Sequence, residues 1–295
     1  MKKATTVEEQ LVKLKERGLI INCTDKKAIL SLSDIGYYRL GFYLFPFEEK
    51  YPNLKNRTHK FSEYALFMDV LSLYEFDSDL RNILLFYINR IEINFRTRII
   101  YMCSNYFKED PLWYINEECI NKDYIEYIKD EYTKKLSNFS VIKNHHRKYI
   151  DDEFAPAWKT IEFFTFGKVL ALYSSIKDTT LKMQISKSYG INFISILENY
   201  MTLIVSLRNI CAHSNVLFDH RLPKSIKSGP ALSTTPQNNS KLYSAILVIR
   251  YILSTISVSS ATNLKEEISD LFKSHVDCEV INDIINSTIK QEISL

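Results

Sequence analysis

The stretch FISILENYMTLIVSLRNICAHSNVLF, residues 193–218, decides how this chain is read. Its pattern predicts one long helix over 191–218. At roughly 100° per residue, Glu198, Asn199, Thr202, Ser206, Asn209 and His213 fall within one arc of about 100°. The rest of the circumference carries Ile194, Leu197, Tyr200, Met201, Leu203, Ile204, Leu207, Ile210 and Cys211. His213 and Asn209 therefore share a polar stripe, whereas Arg208 lies about 140° from His213 among apolar neighbours. An unpaired charge there is costly. Either the long side chain snorkels round to the stripe, or a buried carboxylate on another helix holds it, with Glu92 the first candidate. On spacing alone, a structural ion pair beside a merely wet helix face accounts for these residues better than a site does.

Outward from this helix, the composition is that of a globular protein. The chain has 295 residues, 46% hydrophobic and 25% charged, enough to bury a core without metals or disulfides. Seventeen Phe and 19 Tyr against 6 Gly and 7 Pro favour long packed elements. A net charge of +3 does not announce a nucleic-acid binder, so any basic footprint is local. Cys23, Cys103, Cys119, Cys211 and Cys278 form no CxxC pair and suggest reduced thiols, hence a cytoplasmic protein. The start, MKKATTVEEQ, lacks the apolar run of a signal peptide, and no stretch is long and apolar enough for a membrane span.

Periodicity predicts an all-α fold. Thr6-Val-Glu-Glu9 has the form of a capping box, opening a short helix on Leu11, Val12 and Leu14 that Gly18 stops. A second helix is expected over Asp25–Leu32, with Ser33 or Asp34 capping the aromatic segment that ends at Pro46. Residues 48–60 read as a loop, and 62–107 as a long helix with room for a break. In it, LLFYINRIEINFRTRIIYM is apolar on most sides, as suits a buried central helix, and Glu92 can pair with Arg96 four residues on. Residues 123–138 read as an exposed charged segment, 144–154 as a polar connection, and Pro156 as a helix start. A loop over 219–240 and two or three further helices over 241–293 complete the chain.

Residue order adds what spacing lacks. Arg208-Asn209-Ile-Cys-Ala-His213 resembles the Arg-x(4–6)-His motif of the HEPN superfamily. The chain as a whole resembles one branch of it, the Abi family of bacterial abortive-infection proteins (AbiD/AbiF type). The blocks that carry the likeness are IGYYRLGFYLFPF (35–47), LYEFDSDLRNILLFYINRIEINFRTRI (73–99), PAWKTIEFFTFGKVLALY (156–173) and LRNICAHSNVLFDHR (207–221). The resemblance implies a multi-helix bundle of HEPN type with extra N- and C-terminal helices. As a single domain over 1–295 it would comprise an N-terminal subregion (1–60), a core carrying RNICAH (61–258) and C-terminal helices (259–295).

It also implies a metal-independent endoribonuclease in anti-phage defence or as a toxin, with Arg208, Asn209 and His213 at the active site and no cofactor. An imidazole can serve as base or acid near neutral pH, a guanidinium can fork onto phosphate oxygens, and an amide can orient either. One His does not easily supply both acid and base, and the family's answer is a homodimer with a composite site. Expected partners are RNA and, as a restraint, an antitoxin RNA or protein. The other reading is a non-catalytic helical module that holds RNA or a protein, and a weaker third is a dimerisation scaffold. The chain departs from its relatives where a second polar residue and an Arg commonly follow the motif: here Ser214 and Val216 stand, with His220-Arg221 further on.

The remaining clusters carry less. His220, Arg221, Lys224 and Lys227 are either a phosphate-gripping loop or a solvated one. Tyr37, Tyr38 and Arg39 suit core packing better than base stacking, and His145-His146-Arg147-Lys148 suits a polar turn better than RNA contact. His145 and His146 lack further ligands at zinc spacing, so no metal site is expected.

Overall fold

The computed structural model describes residues 3–53, 55, 57–220, 222, 225–232, 242–274 and 279–288. Among these the fold is all-α: thirteen α-helices and no strand beyond isolated bridges. They are α1 (Val7–Glu16), α2 (Asp25–Ile35), α3 (Tyr37–Leu44), α4 (Phe67–Tyr106), α5 (Lys122–Lys134), α6 (Ser140–Lys148) and α7 (Ala157–Thr160). There follow α8 (Phe166–Ser175), α9 (Thr179–Lys187), α10 (Ile194–Ala212), α11 (Leu242–Ser254), α12 (Val258–Lys273) and α13 (Glu279–Thr288). None of the described helices is long and apolar enough to cross a membrane.

The chain divides into two compact units. The first is Met1–Ile83, His213–His220 and Lys265–Leu295; the second is Leu84–Ala212 and Arg221–Leu264. In the first unit, Thr6 and Glu9 close the expected capping box, the Thr6 amide donating to Glu9 Oε2 at 2.8 Å and the Glu9 amide to Thr6 Oγ1 at 3.2 Å. Leu11 and Leu14 are buried, but Val12 faces solvent, so the apolar stripe of α1 is narrower than expected. α2 runs through Ser33 and Asp34 to Ile35, and neither caps the next helix. Gly18 (φ 94°) and Gly36 (φ 86°) sit just past α1 and α2 in the left-handed region where other residues are strained, and there the chain turns.

α4 is one unbroken helix of 40 residues. From Leu84 onward its buried positions Leu84, Ile88, Ile91, Phe95, Ile99 and Cys103 recur at helical spacing. Phe86, Ile93 and Tyr101 on its other side are exposed, so the helix is not buried all round as its composition suggested. Two further expectations change in the second unit. α5 buries Tyr124, Ile125, Ile128, Glu131 and Tyr132, so it is amphipathic rather than simply exposed. The polar connection expected over 144–154 begins as helix, since α6 continues to Lys148 with His145 buried. His145 lies between Asp152 (Nε2 to Oδ2, 3.1 Å) and Lys159 (Nδ1 to Nζ, 3.3 Å), partners that its sequence neighbours did not reveal.

The first unit is organised by a buried polar knot. Asp77 on α4 is inaccessible to solvent. Its Oδ2 accepts from the Tyr43 hydroxyl at 2.7 Å and from Arg81 Nη1, and its Oδ1 from the Phe218 amide at 2.6 Å; the Leu217 amide lies 3.2 Å from both oxygens. Burial pushes the Asp77 carboxyl up, while Arg81, Tyr43 and the two amides pull against it. Every neighbour is a donor, so the carboxylate is the form that satisfies them all. We expect Asp77→Ala, which strands the buried Arg81, to lower unfolding free energy by about 3–5 kcal/mol. Tyr43→Phe removes one donor and leaves three, an expected loss of about 1 kcal/mol. Urea unfolding compares the two, and equal losses would remove Asp77 from the centre of the knot.

Candidate active site

α10 sorts its residues as helical geometry requires. Leu197, Tyr200, Met201, Leu203, Ile204, Leu207, Ile210 and Cys211 are buried, and of the apolar arc only Ile194 is not. This face packs against α8, α9 and α11. Thr202 and Asn209 are exposed on the opposite side. The helix ends at Ala212, not at 218 as expected. Ser214 has a positive φ of 53°, which takes the chain out of helical geometry, and the backbone groups that follow bond to side chains instead of to the helix.

In the second unit, Arg208 occupies the last turn of α10 and lies on Glu92 of α4, Nε to Oε2 at 3.3 Å. That is an ion pair by distance without the angle of a hydrogen bond, since the same buried Nε has no hydrogen-bond acceptor. At the other end of the guanidinium, Nη1 lies 3.5 Å from Asn209 Oδ1. Glu92 also accepts from Arg96 Nη2 through Oε1 at 2.9 Å, and the same nitrogen donates to the Phe164 carbonyl at 3.0 Å. So Arg208, Asn209, Glu92 and Arg96 are brought together as one cluster, with two guanidinia against one carboxylate. Such a cluster carries surplus positive charge, and Arg208 is the open end of it: its side chain is 31% exposed against 13% for Arg96.

In the first unit, His213 is exposed and begins a turn fastened at four backbone groups. Arg39 Nη1 donates to the Ser214 carbonyl at 2.6 Å and Arg81 Nη1 to the Asn215 carbonyl at 3.3 Å, while Asp77 takes the Leu217 and Phe218 amides. Arg39 thus binds the residue next to His213, and Tyr38 beside it is 84% exposed instead of packed in a core. Asp77, Arg81 and Tyr43 were missed by sequence reasoning. The signal was present, because Asp77 interrupts the apolar run Leu73–Leu80–Leu84 with Arg81 four residues on, the argument already applied to Arg208.

The basic segment after the motif is less uniform than its composition. Arg221 and Lys224 lie outside the described residues. His220 is half-buried, its Nε2 has no hydrogen-bond partner, and burial pushes its imidazole down, favouring the neutral ring. Lys227 is exposed, with its backbone amide bonded to Asn199 Oδ1 at 2.8 Å. Of the cysteines, Cys103, Cys119 and Cys211 are buried and Cys23 is partly exposed; Cys278 lies outside the described residues.

The shared carboxylate yields an ordering of stabilities. Glu92→Ala strands the largely covered Arg96 and is expected to cost about 3 kcal/mol. The Arg208–Glu92 coupling, at a partly exposed site, is expected below about 1 kcal/mol in a double-mutant cycle. A coupling for Arg208 that exceeds the one for Arg96 would show Arg208 to be a structural residue first.

No curated protein and no solved structure matches the chain. One family model does, that of the Abi-like protein family, over residues 31–219. This span takes in the blocks at 35–47, 73–99 and 156–173, the whole of α10, His213 and the turn that Asp77 holds. The chain belongs to the Abi-like protein family.

Proposed function

We propose that the chain is an endoribonuclease of HEPN type that acts in abortive infection or as a toxin, with Arg208, Asn209 and His213 as its catalytic residues. The observation that supports this reading most is the open Arg208 guanidinium, fixed at its Nε end on Glu92 and carried in the last turn of α10 beside exposed Asn209. A purely structural arginine on that arc would be closed off like Arg96. His213 follows four residues after Asn209 in the chain, exposed, on a turn whose backbone is fastened by Arg39, Arg81 and Asp77.

In the reaction, an RNA 2′-hydroxyl attacks the adjacent phosphorus while a base takes its proton. The bond to the 5′-oxygen breaks as an acid protonates that oxygen, leaving a 2′,3′-cyclic phosphate and a 5′-hydroxyl. The nucleophile belongs to the substrate, so the chemistry as proposed uses no metal. Arg208 neutralises charge growing on the phosphate oxygens, and Asn209 orients the phosphate or the imidazole. His213 supplies one proton transfer. A second copy of the chain supplies the other, which makes the working form a homodimer with a composite site.

Purified protein is expected to cut RNA in EDTA and leave those ends. His213→Ala should lower the rate by about 10²-fold or more, and Arg208→Ala by about 10²–10³-fold, both with unchanged thermal unfolding. Undiminished cleavage by His213→Ala sinks the proposal. Induced expression of the wild type should arrest growth, and Arg208→Ala should not.

A further inference from the structure

The polar face of α10 does more than lead to Arg208. One turn before Asn209 it forms the floor of a cavity of about 400 Å³, lined among others by Ser195, Glu198, Thr202, Ser206 and Lys227. Ile226 lines it too, and with Lys227 it belongs to the segment 225–232, which is held against α10 in two ways. Asn199 uses both ends of its amide, Nδ2 donating to the Ser225 carbonyl at 3.3 Å and Oδ1 accepting from the Lys227 amide at 2.8 Å. Gly229 then approaches so closely that a Cβ on it would meet the Tyr200 hydroxyl at 2.7 Å and Ile196 at 3.0 Å. Glu198 is oriented from behind: Lys182 Nζ donates to its Oε1 at 3.2 Å and to the Ser174 carbonyl at 3.0 Å. The Lys182 side chain is 12% exposed, so it positions the carboxylate and is not itself a reader, whereas Glu198 is 32% exposed and keeps acceptor capacity toward the cavity.

We infer that this cavity is a nucleotide subsite that selects one base of the RNA strand, resting on the nuclease reading above for the identity of the strand. The volume is that of a small-ligand pocket. Its lining is hydroxyl-rich, as suits ribose and base edges, with one exposed ammonium for a phosphate and one carboxylate that cannot face a phosphate. A carboxylate only accepts, so it favours the amino groups of adenine, cytosine or guanine over the carbonyl-rich edge of uracil. From Glu198 to Asn209 the helix rises about 16 Å, which places the selected base a short, fixed number of nucleotides from the phosphate at Arg208.

The test uses the full-length protein and 2′-O-methyl tetranucleotides of A, C or U, which 2′-hydroxyl attack cannot cut, with AMP and CMP as free competitors. The wild type is expected to bind the A and C tetramers about tenfold tighter than the U tetramer, and Glu198→Gln, whose amide donates as well as accepts, to bring them within about twofold. In parallel, mapped ends from a random RNA pool should show uracil depleted at one fixed position from the cut by the wild type and admitted there by Glu198→Gln. Equal binding of the three tetramers by the wild type, or a preference retained in Glu198→Gln, overturns the subsite even if RNA is cut. Base discrimination that depends on Glu198 without any cutting keeps the subsite and overturns the nuclease reading. AMP or CMP binding as tightly as the tetramers assigns the cavity to a free nucleotide and overturns the RNA register.

Discussion

A carboxylate sealed from water must find a donor for each lone pair it presents, and Asp77 meets that demand by recruiting the chain around it. Tyr43 comes from α3, Arg81 from the next turn of α4, and two amides from the segment that follows α10. Because Arg81 also reaches the Asn215 carbonyl, the knot fixes backbone on both the acceptor and the donor side. Much of the first unit's order can be traced to this group. The aromatic α3 stays seated because Tyr43 is tied at its hydroxyl, and its ring lies 5.7 Å from that of Phe218. The turn after His213 has a defined course because its polar groups have partners other than water.

A different economy governs the second unit, where one carboxylate serves two arginines. Glu92 accepts a hydrogen bond from Arg96 and holds Arg208 as an ion pair alone, and each guanidinium keeps a buried Nε without an acceptor. Incomplete pairing is unfavourable in a core and useful at an edge, where a cation that is held but not neutralised can meet an anionic ligand. α10 combines the two regimes. Its apolar arc locks it against α8, α9 and α11, and its polar arc is free to carry hydroxyls, Glu198 and Asn209. Rigidity on one face is what gives the residues of the other a fixed spacing.

The helical class, the sorting of α10 and the Glu92 partnership of Arg208 were all legible in the chain, because each follows from periodicity and from the cost of an unpaired charge. The end of α10 was not. Residues 213–218 continue the helical pattern, and only the remote Arg39, Asp77 and Arg81 draw their backbone groups away. α6 was missed for a related reason: a histidine-rich segment reads as polar, yet Asp152 and Lys159 let His145 sit inside. The cavity beside Glu198 depends on a segment brought back from 225–232, a tertiary fact with no local signature beyond Gly229.

The order in which these partners are synthesised matters. Arg39 precedes the carbonyl it holds by 175 residues and Arg81 by 134, so the anchors emerge from the ribosome long before the turn that needs them. A nascent chain released early carries α3, α4 and the ready receptor but no His213. Organisation of this end of the motif is therefore deferred to the last third of translation. A truncated chain holds the anchors without the turn they fasten.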